Sequence, residues 1–253
     1  MTISRLLGLL ALLAGIVAIL MVGLAGPGNR FGVWDWMFAL ATLFKFGAYV
    51  GMAAAGLGVL WVIVALIRKS REGMGRALTG FVLGALAVAP PLMLQARAGE
   101  VPPIHDITTN MDQPPAFVAL AEARRASMNG LDYKPVMEVR GQTINVREYQ
   151  LAAYPDIVTW RSGASTQAVF VRAKAAAEAQ GWEIIAADET ALRIEATATS
   201  MWFGFKDDVV IVIAQDGAGA KLDIRSASRV GLSDLGANAD RIRAFIAELN
   251  KVN

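Results

Sequence analysis

Three long apolar runs open the chain, and a regular alternation of apolar and polar positions closes it. Leu6–Asn29 carries no charge over 24 residues, Phe46–Ile67 none over 22, and Ala77–Ala96 none over 20. A bilayer core of about 30 Å needs about 20 apolar residues at about 1.5 Å each. Each run therefore predicts a transmembrane helix, over about 6–26, 38–67 and 77–96. The first run is longer than the apolar core of a cleaved leader, about 7–15 residues, and reads as a span. Pro90-Pro91 is expected to kink or end the third helix early, because proline removes a donor and crowds the preceding turn.

The pattern changes after residue 97. "VPPIHDITTNMDQPPAF" has four prolines in seventeen residues, which disfavours helix interiors and central strands alike. It predicts an extended, turn-rich segment, with one short helix within Ala116–Ala126. From Ser165 the signals sharpen. Ser165 suits an N-cap, the Ala-rich run to Gln180 is helix-forming, and Gly181 suits the position after the helix. Glu183–Ala187 predicts a short strand. In "ALRIEATATS", Leu192, Ile194, Ala196 and Ala198 alternate with Arg193, Glu195, Thr197 and Thr199. "DVVIVIA" is apolar on both faces, as in a central strand covered on both sides. "KLDIRSASRV" alternates again, with Ser226 and Ser228 opposite Arg225 and Arg229. Ile242, Phe245, Ile246 and Leu249 follow the i, i+3, i+4, i+7 spacing of a final helix. The fold predicted is an α-helical membrane anchor over 1–97 and an α+β domain over 98–253. Its core is an antiparallel four-stranded sheet with two helices on one face and the Pro-rich segment over the other.

Charge refines this picture. Residues 1–97 carry eight Lys/Arg against two Asp/Glu, whereas residues 98–253 carry sixteen against twenty. The basic balance belongs to the anchor, and the acidic balance of the second part argues against nucleic-acid binding. The loop after the second run holds Arg68, Lys69, Arg71 and Arg76, while the loop before it holds only Arg30. The positive-inside rule places the basic loop in the cytoplasm and residues 98–253 outside, which in a bacterium means an inner-membrane protein with a periplasmic domain. "GAYVG" (Gly47–Gly51) and "GFVLG" (Gly80–Gly84) are small-xxx-small patterns, which serve packing within the chain or a homodimer. The absence of cysteine excludes disulfides and thiolate-ligated metals.

The densest polar stretch is "RSASRVGLSDLGANADRIRAFI", Arg225–Ile246. Asp234 and Asn238 fall at the start of the last helix, where short polar side chains satisfy unpaired N–H groups. Arg241 is three residues past Asn238. One reading is a strand–turn–helix corner held by its own polar side chains. The other is a pocket in which Arg225, Arg229 and a helix N-terminus hold an anion or polar head group, with His105 and Asp106 carried over it. His105 is the sole histidine, so no metal site of several histidines forms within one chain. Ser226, Ser228 and Ser233 are nucleophiles by composition, but no G-x-S-x-G elbow is present. Asp207 and Asp208 are adjacent in a strand and point to opposite faces.

The blocks "PPIHDITTN…DQPPAF", "YPDI", "ATATSMWFGFKDDVVI" and "RSASRVGLSDLGANADRIRAFI" resemble, in order, the domain-of-unknown-function family 1499, a bacterial and plastid group. The resemblance spans about residues 100–250. It singles out His105-Asp106-Ile107, the Asp207-Asp208 pair, and Arg225, Ser226, Ser228, Arg229, Gly231, Asp234, Gly236 and Asn238. Some members carry an arginine in the strand after the aspartate pair; Val209–Ala214 is uncharged here, and no such role carries over. The family implies no activity.

The expectation is a membrane-anchored module that displays a periplasmic domain for an anionic or lipid-like ligand or an envelope partner. The alternative is a periplasmic hydrolase using His105 with an aspartate. Candidate ligand-binding residues are His105, Asp106, Asp207, Asp208, Arg225, Ser226, Ser228, Arg229, Asp234, Asn238 and Arg241; no cofactor, metal or nucleic acid is implied.

Overall fold

The computed structural model describes residues 2–139 and 141–251. The chain divides into two compact units: residues 1–97 with 201–204, and residues 98–200 with 205–253.

The first unit holds three helices long and apolar enough to cross a membrane. Helix α1 (Ile3–Arg30) is capped by Thr2, whose hydroxyl accepts from the Arg5 N–H. A π-helical turn (Phe38–Phe44) runs directly into α2 (Lys45–Arg68), and α3 covers Met74–Glu100. The prolines at 90 and 91 neither end nor shorten α3. Proline's fixed φ is itself helical; what is lost is the donor that would meet the carbonyl four residues earlier. Most buried positions are small residues, many at three- and four-residue spacing: Gly8, Ala11, Gly15 and Ala18 on α1, Gly47, Gly51, Ala54 and Gly58 on α2, and Ala77, Gly80, Gly84 and Ala87 on α3. With no hydrophobic drive between helices in lipid, close backbone approach is what packs them. Gly51 and Gly84 face each other so closely that a Cβ on Gly84 would lie 2.5 Å from the Gly51 carbonyl oxygen. Both GxxxG patterns thus serve contacts inside one chain. In this unit Phe44 meets Trp202 and Phe203 edge-on, at 5.8 and 6.1 Å between ring centroids.

The second unit is α+β. In chain order it contains β1 (Asp106–Thr108), α4 (Ala121–Arg125), β2 (Val136–Val139), β3 (Gln142–Asn145), α5 (Val146–Ala153), β4 (Trp160–Ser162), α6 (Thr166–Ala179), β5 (Glu183–Asp188), β6 (Arg193–Thr199), β7 (Lys206–Asp216), β8 (Gly219–Ser228) and α7 (Ala237–Lys251). The main sheet is antiparallel and has six strands, not the four expected. Its order is β1-β8-β7-β6-β5, with β4 also on β8. Both added strands are three residues long; β1 lies in the Pro-rich segment read as extended, and β4 lies just before Ser165. They share the far edge of β8: β1 pairs at Ala227, Ser226 and Arg225, and β4 pairs at Leu222, Lys221 and Ala220. Such short strands show no alternation to read, and only the β8 edge reveals them. A separate hairpin pairs β2 with β3.

The main core lies between one sheet face and α6 and α7. Val169 and Phe170 of α6 and Ile242 and Phe245 of α7 meet Ile194, Val209, Ile211, Leu222 and Ile224, and Trp182 stacks on Phe245 at 5.5 Å. The other face is covered by the Pro-rich segment and α4, through a small cluster of Phe117, Leu120, Val210 and Ala227. Both faces of β6 are buried as a result, including the acidic Glu195, whose carboxylate accepts from the Val118 and Leu120 N–H groups at 2.8 and 2.9 Å.

Candidate functional site

Strand geometry sorts the candidate residues before any contact is considered. Adjacent side chains on a strand point to opposite faces. On β7, Asp207 therefore faces one way and Asp208 the other; on β8, Ser226 and Ser228 face α7 while Arg225 faces α4. Asp207 pairs in register with Ser228, and Asp208 with Ala227. Two polar clusters result, one on each face of the same end of the sheet.

On the α7 face, Asp207 accepts from Arg241 Nη2 at 2.6 Å. Arg241 Nη1 also donates to Ser226 Oγ at 3.0 Å and to Asn238 Oδ1. Asn238 is fully buried. Its Oδ1 accepts from Ser226 Oγ at 2.7 Å, and its amide donates to the His105 carbonyl at 2.9 Å and to Ser228 Oγ at 3.0 Å. Asp234 caps the turn into α7, accepting from the Gly236 N–H at 2.8 Å and the Asn238 N–H at 2.9 Å. Burial pushes its carboxyl up to about 6, against the pull of those two donors.

On the α4 face, Arg225 forms a bidentate pair with Asp106, at 2.9 Å from Nε and 2.7 Å from Nη2. It also donates to the carbonyls of Pro115 and Leu131. Arg229 forms a second bidentate pair with Asp208, at 2.9 and 2.8 Å, and Thr197 Oγ1 donates to Asp208 at 2.9 Å. Arg124, fully buried, lies 3.6 Å from Asp208 and donates to the carbonyls of Ala227 and Ser228. Burial lowers its pKa, and Asp106 and Asp208 oppose that shift. The Phe117 ring is flanked by the guanidiniums of Arg225 and Arg124, at 4.9 and 5.1 Å. Asn129 ties the end of β8 down through the carbonyls of Ser228 and Gly231.

The structure thus joins Asp207, Ser226, Ser228, Asn238 and Arg241 in one network, with Asp234 at its edge, and Asp106, Asp208, Arg225 and Arg229 in another. The sheet stands between Arg225 and Arg229 on one side and the N-terminus of α7 on the other. Each of these guanidiniums is already matched by a carboxylate.

His105 belongs to neither network through its ring. The imidazole is buried, its Nδ1 has no hydrogen-bond partner among the described residues, and burial lowers its pKa against the opposing charge of Asp106. It borders an enclosed cavity of about 10 Å³, room for about one water, with Asp106, Asn129, Asp132 and Lys134. No serine lines that space. Ser226 and Ser228 are held by Asn238 on the α7 face, and Ser233 Oγ accepts from the Leu235 N–H. A nucleophile and base within reach of each other, as acyl transfer needs, are not assembled around His105 among the described residues. Nor do three or more His, Asp or Glu side chains converge as metal ligands there.

Arg124, Thr197, Asn129 and Phe117 are absent from the sequence-derived set. Arg124 and Arg125 are adjacent in α4, yet only the first is buried; composition does not distinguish them, and only the position of α4 over β8 does.

A larger opening than the one beside His105 lies on the β8 edge between β1 and β4. There the ladder is interrupted around Asp223 and Ile224. Thr109 bridges the interruption, its N–H donating to the Ile224 carbonyl and its hydroxyl accepting from the Ile224 N–H, each at 2.9 Å. The groove has a volume of about 430 Å³, and its lining includes Arg147, Arg161, Lys221, Asn110, Thr159 and Asp223. Asp223 is held by Thr109, Asn110 and Thr159, Arg147 pairs with Asp112, and Arg161 with Asp216. Lys221 has no ion pair among the described residues.

The chain matches no curated protein. Residues 106–249 match the model of the family described as protein of unknown function, DUF1499. That match covers more than half of the chain and takes in β1 through α7 with both polar clusters, so the chain belongs to the DUF1499 family of proteins of unknown function.

Proposed function

We propose that the chain is an inner-membrane-anchored, non-catalytic binding protein. Its α+β domain lies in the periplasm and receives an anionic ligand, or an acidic segment of an envelope partner, in the groove between β1 and β4. The observation that carries this reading is the division of labour among charged groups. The arginines of the two polar clusters are matched by carboxylates and spent on the sheet, whereas Lys221 stands without an ion pair in an open groove beside Arg147 and Arg161. On this reading Asp106, Asp207, Asp208, Arg225, Ser226, Ser228, Arg229, Asp234, Asn238 and Arg241 hold the groove's strands in place, and His105 closes the inner end of β1.

Two measurements test it. Alkaline phosphatase fused after Gly99 should be active and fused at Ser70 inactive; the reverse pattern would remove the periplasm from the proposal. Native mass spectrometry of the full chain from an envelope extract should show a retained anionic species, or an acidic partner, that Lys221→Glu with Arg161→Glu displaces. Retention unchanged in that double variant would place binding elsewhere.

A further inference from the structure

The first unit carries a second, separate arrangement at the turn between α2 and α3. The turn is tightly fixed. Lys69 adopts a left-handed conformation and Gly73 has φ +80°. The Ser70 N–H returns to the Ala65 carbonyl at 3.1 Å, and the Met74 N–H to the Arg71 carbonyl at 3.2 Å. Trp61, buried at the end of α2, donates its indole N–H to the Glu72 carbonyl at 3.0 Å. Glu72 in turn accepts from Thr2 at 2.6 Å and pairs with Arg5 at 3.2 Å, so the start of α1 is tied to the same turn.

Two cavities flank this turn. One, of about 360 Å³, is an apolar cleft lined by Trp61, Val62, Ala65, Leu66 and Met74, with Lys69 and Arg71 at its edge. The other, of about 500 Å³, is bordered by Arg5, Arg71, Arg76 and the backbone of Gly73 and Gly75. Arg71 and Met74 line both. Glu72 matches Arg5, but among the described residues Arg71 and Arg76 pair with no carboxylate. An apolar cleft opening into a basic pocket, at the end of helices long enough to span a bilayer, has the chemistry of one kind of molecule. It needs an anion and a hydrocarbon chain joined within a few ångströms.

We infer that this turn is a binding site for a single anionic phospholipid of the adjoining leaflet. Its phosphate lies between Arg71 and Arg76, and an acyl chain lies in the cleft against Trp61, Val62 and Met74. A basic pocket between transmembrane helices takes anionic head groups in this way, and each arginine near the surface contributes about 1 kcal/mol, or roughly fivefold in affinity. A soluble phosphate would use the pocket and leave the cleft unoccupied; a zwitterionic lipid would fill the cleft but bring its own cation to the arginines. The inference is independent of the groove on β8, and neither outcome bears on the other.

The test uses the full chain in a neutral detergent. Thermal unfolding and native mass spectra are recorded with phosphatidylglycerol, phosphatidylcholine or soluble glycerol 3-phosphate added. Phosphatidylglycerol alone should raise the melting temperature and leave one lipid bound. Arg71→Gln with Arg76→Gln should weaken that binding about thirtyfold. Val62→Trp, at a surface-exposed wall of the cleft, should weaken it with no change of charge. If the double Gln variant melts early without lipid, Arg71→Lys with Arg76→Lys keeps the charge and must retain most of the binding. Equal responses to the two lipids, full retention in the Gln variant, or an effect of glycerol 3-phosphate matching that of the lipid would overturn the inference.

Discussion

Asp208→Asn is the most informative single change in the α4-side cluster. Asp208 is fully buried and serves three partners: Arg229 in a bidentate pair, Thr197, and Arg124 at 3.6 Å. The replacement keeps the shape and removes the charge. Arg229 has 22% of its side chain exposed and can turn toward water, but Arg124 has 1% and cannot. Arg124 would keep its two carbonyl acceptors, at 2.8 and 3.2 Å, and lose its nearest countercharge. Removing one partner of a buried pair costs about 3–5 kcal/mol. Arg229→Gln should cost less, about 1–3 kcal/mol, because Asp208 keeps both Thr197 and Arg124. In the double variant the costs should fall short of their sum, since Asp208 and Arg229 share one interaction. Hydrogen exchange of the full chain in detergent, read on peptides from β7 and β8, gives the local opening free energy for each variant. An Asp208→Asn cost below about 1 kcal/mol, or a larger cost for Arg229→Gln, would refute the idea that Asp208 neutralises a buried arginine.

Three further outcomes are expected. Asn238→Ala leaves the buried Ser226 hydroxyl without its acceptor and takes one donor from Ser228 Oγ and one from the His105 carbonyl, which keeps the Ser228 N–H, so it should cost about 1–3 kcal/mol by the same exchange measurement. Gly84→Leu puts a side chain against the Gly51 carbonyl and should abolish a disulfide engineered between α2 and α3 that forms in the Gly84 parent. For Asp234, a folded-state pKa raised to about 6 from an ordinary 3.8 means that the folded form binds the extra proton between those values. Its contribution is fully present below about 3.8 and is lost as pH rises through about 6. Asp234→Asn should flatten that part of the melting-temperature profile, and an unchanged slope between pH 4 and 6 would show that the two N–H donors outweigh burial.

Where the hydrophobic period was strong, the sequence was readable: α6 with its Ser165 cap and Gly181 stop, the two-sided apolar β7, the alternating β8, and α7 with its four-residue apolar stripe. The parity of β7 and β8 also places Asp207 opposite Asp208 and Ser226 opposite Arg225. Hidden from it were β1 and β4. Three residues cannot display a period, and both depend on an edge of β8 more than fifty residues away in sequence. Arg124 was hidden for a related reason. A five-residue helix gives no moment from which to tell its buried arginine from its exposed neighbour. Pro90-Pro91 misled in the opposite direction, because the rule that proline ends helices weighs lost hydrogen bonds against water, and an apolar span has no water to compete for the carbonyls.

The two clusters are joined by single peptide units, and this sets what the family motif does. Asp207 and Asp208 are consecutive, as are the pairs Arg225-Ser226 and Ser228-Arg229, and each pair sends one side chain to α7 and the next to α4. A register slip of one residue on β8 would exchange its faces, carrying arginine to the α7 side where a serine belongs, and a slip on β7 would take an aspartate from Arg241 or from Arg229. The charges therefore penalise a misregistered sheet far more than they stabilise the correct one, which is the use of buried ion pairs best supported by their energetics. Fixing the register of β8 also fixes where β1 and β4 dock on its edge, and hence the opening between them at Asp223. The motif reaches the proposed ligand groove through the register of β8 rather than by touching it.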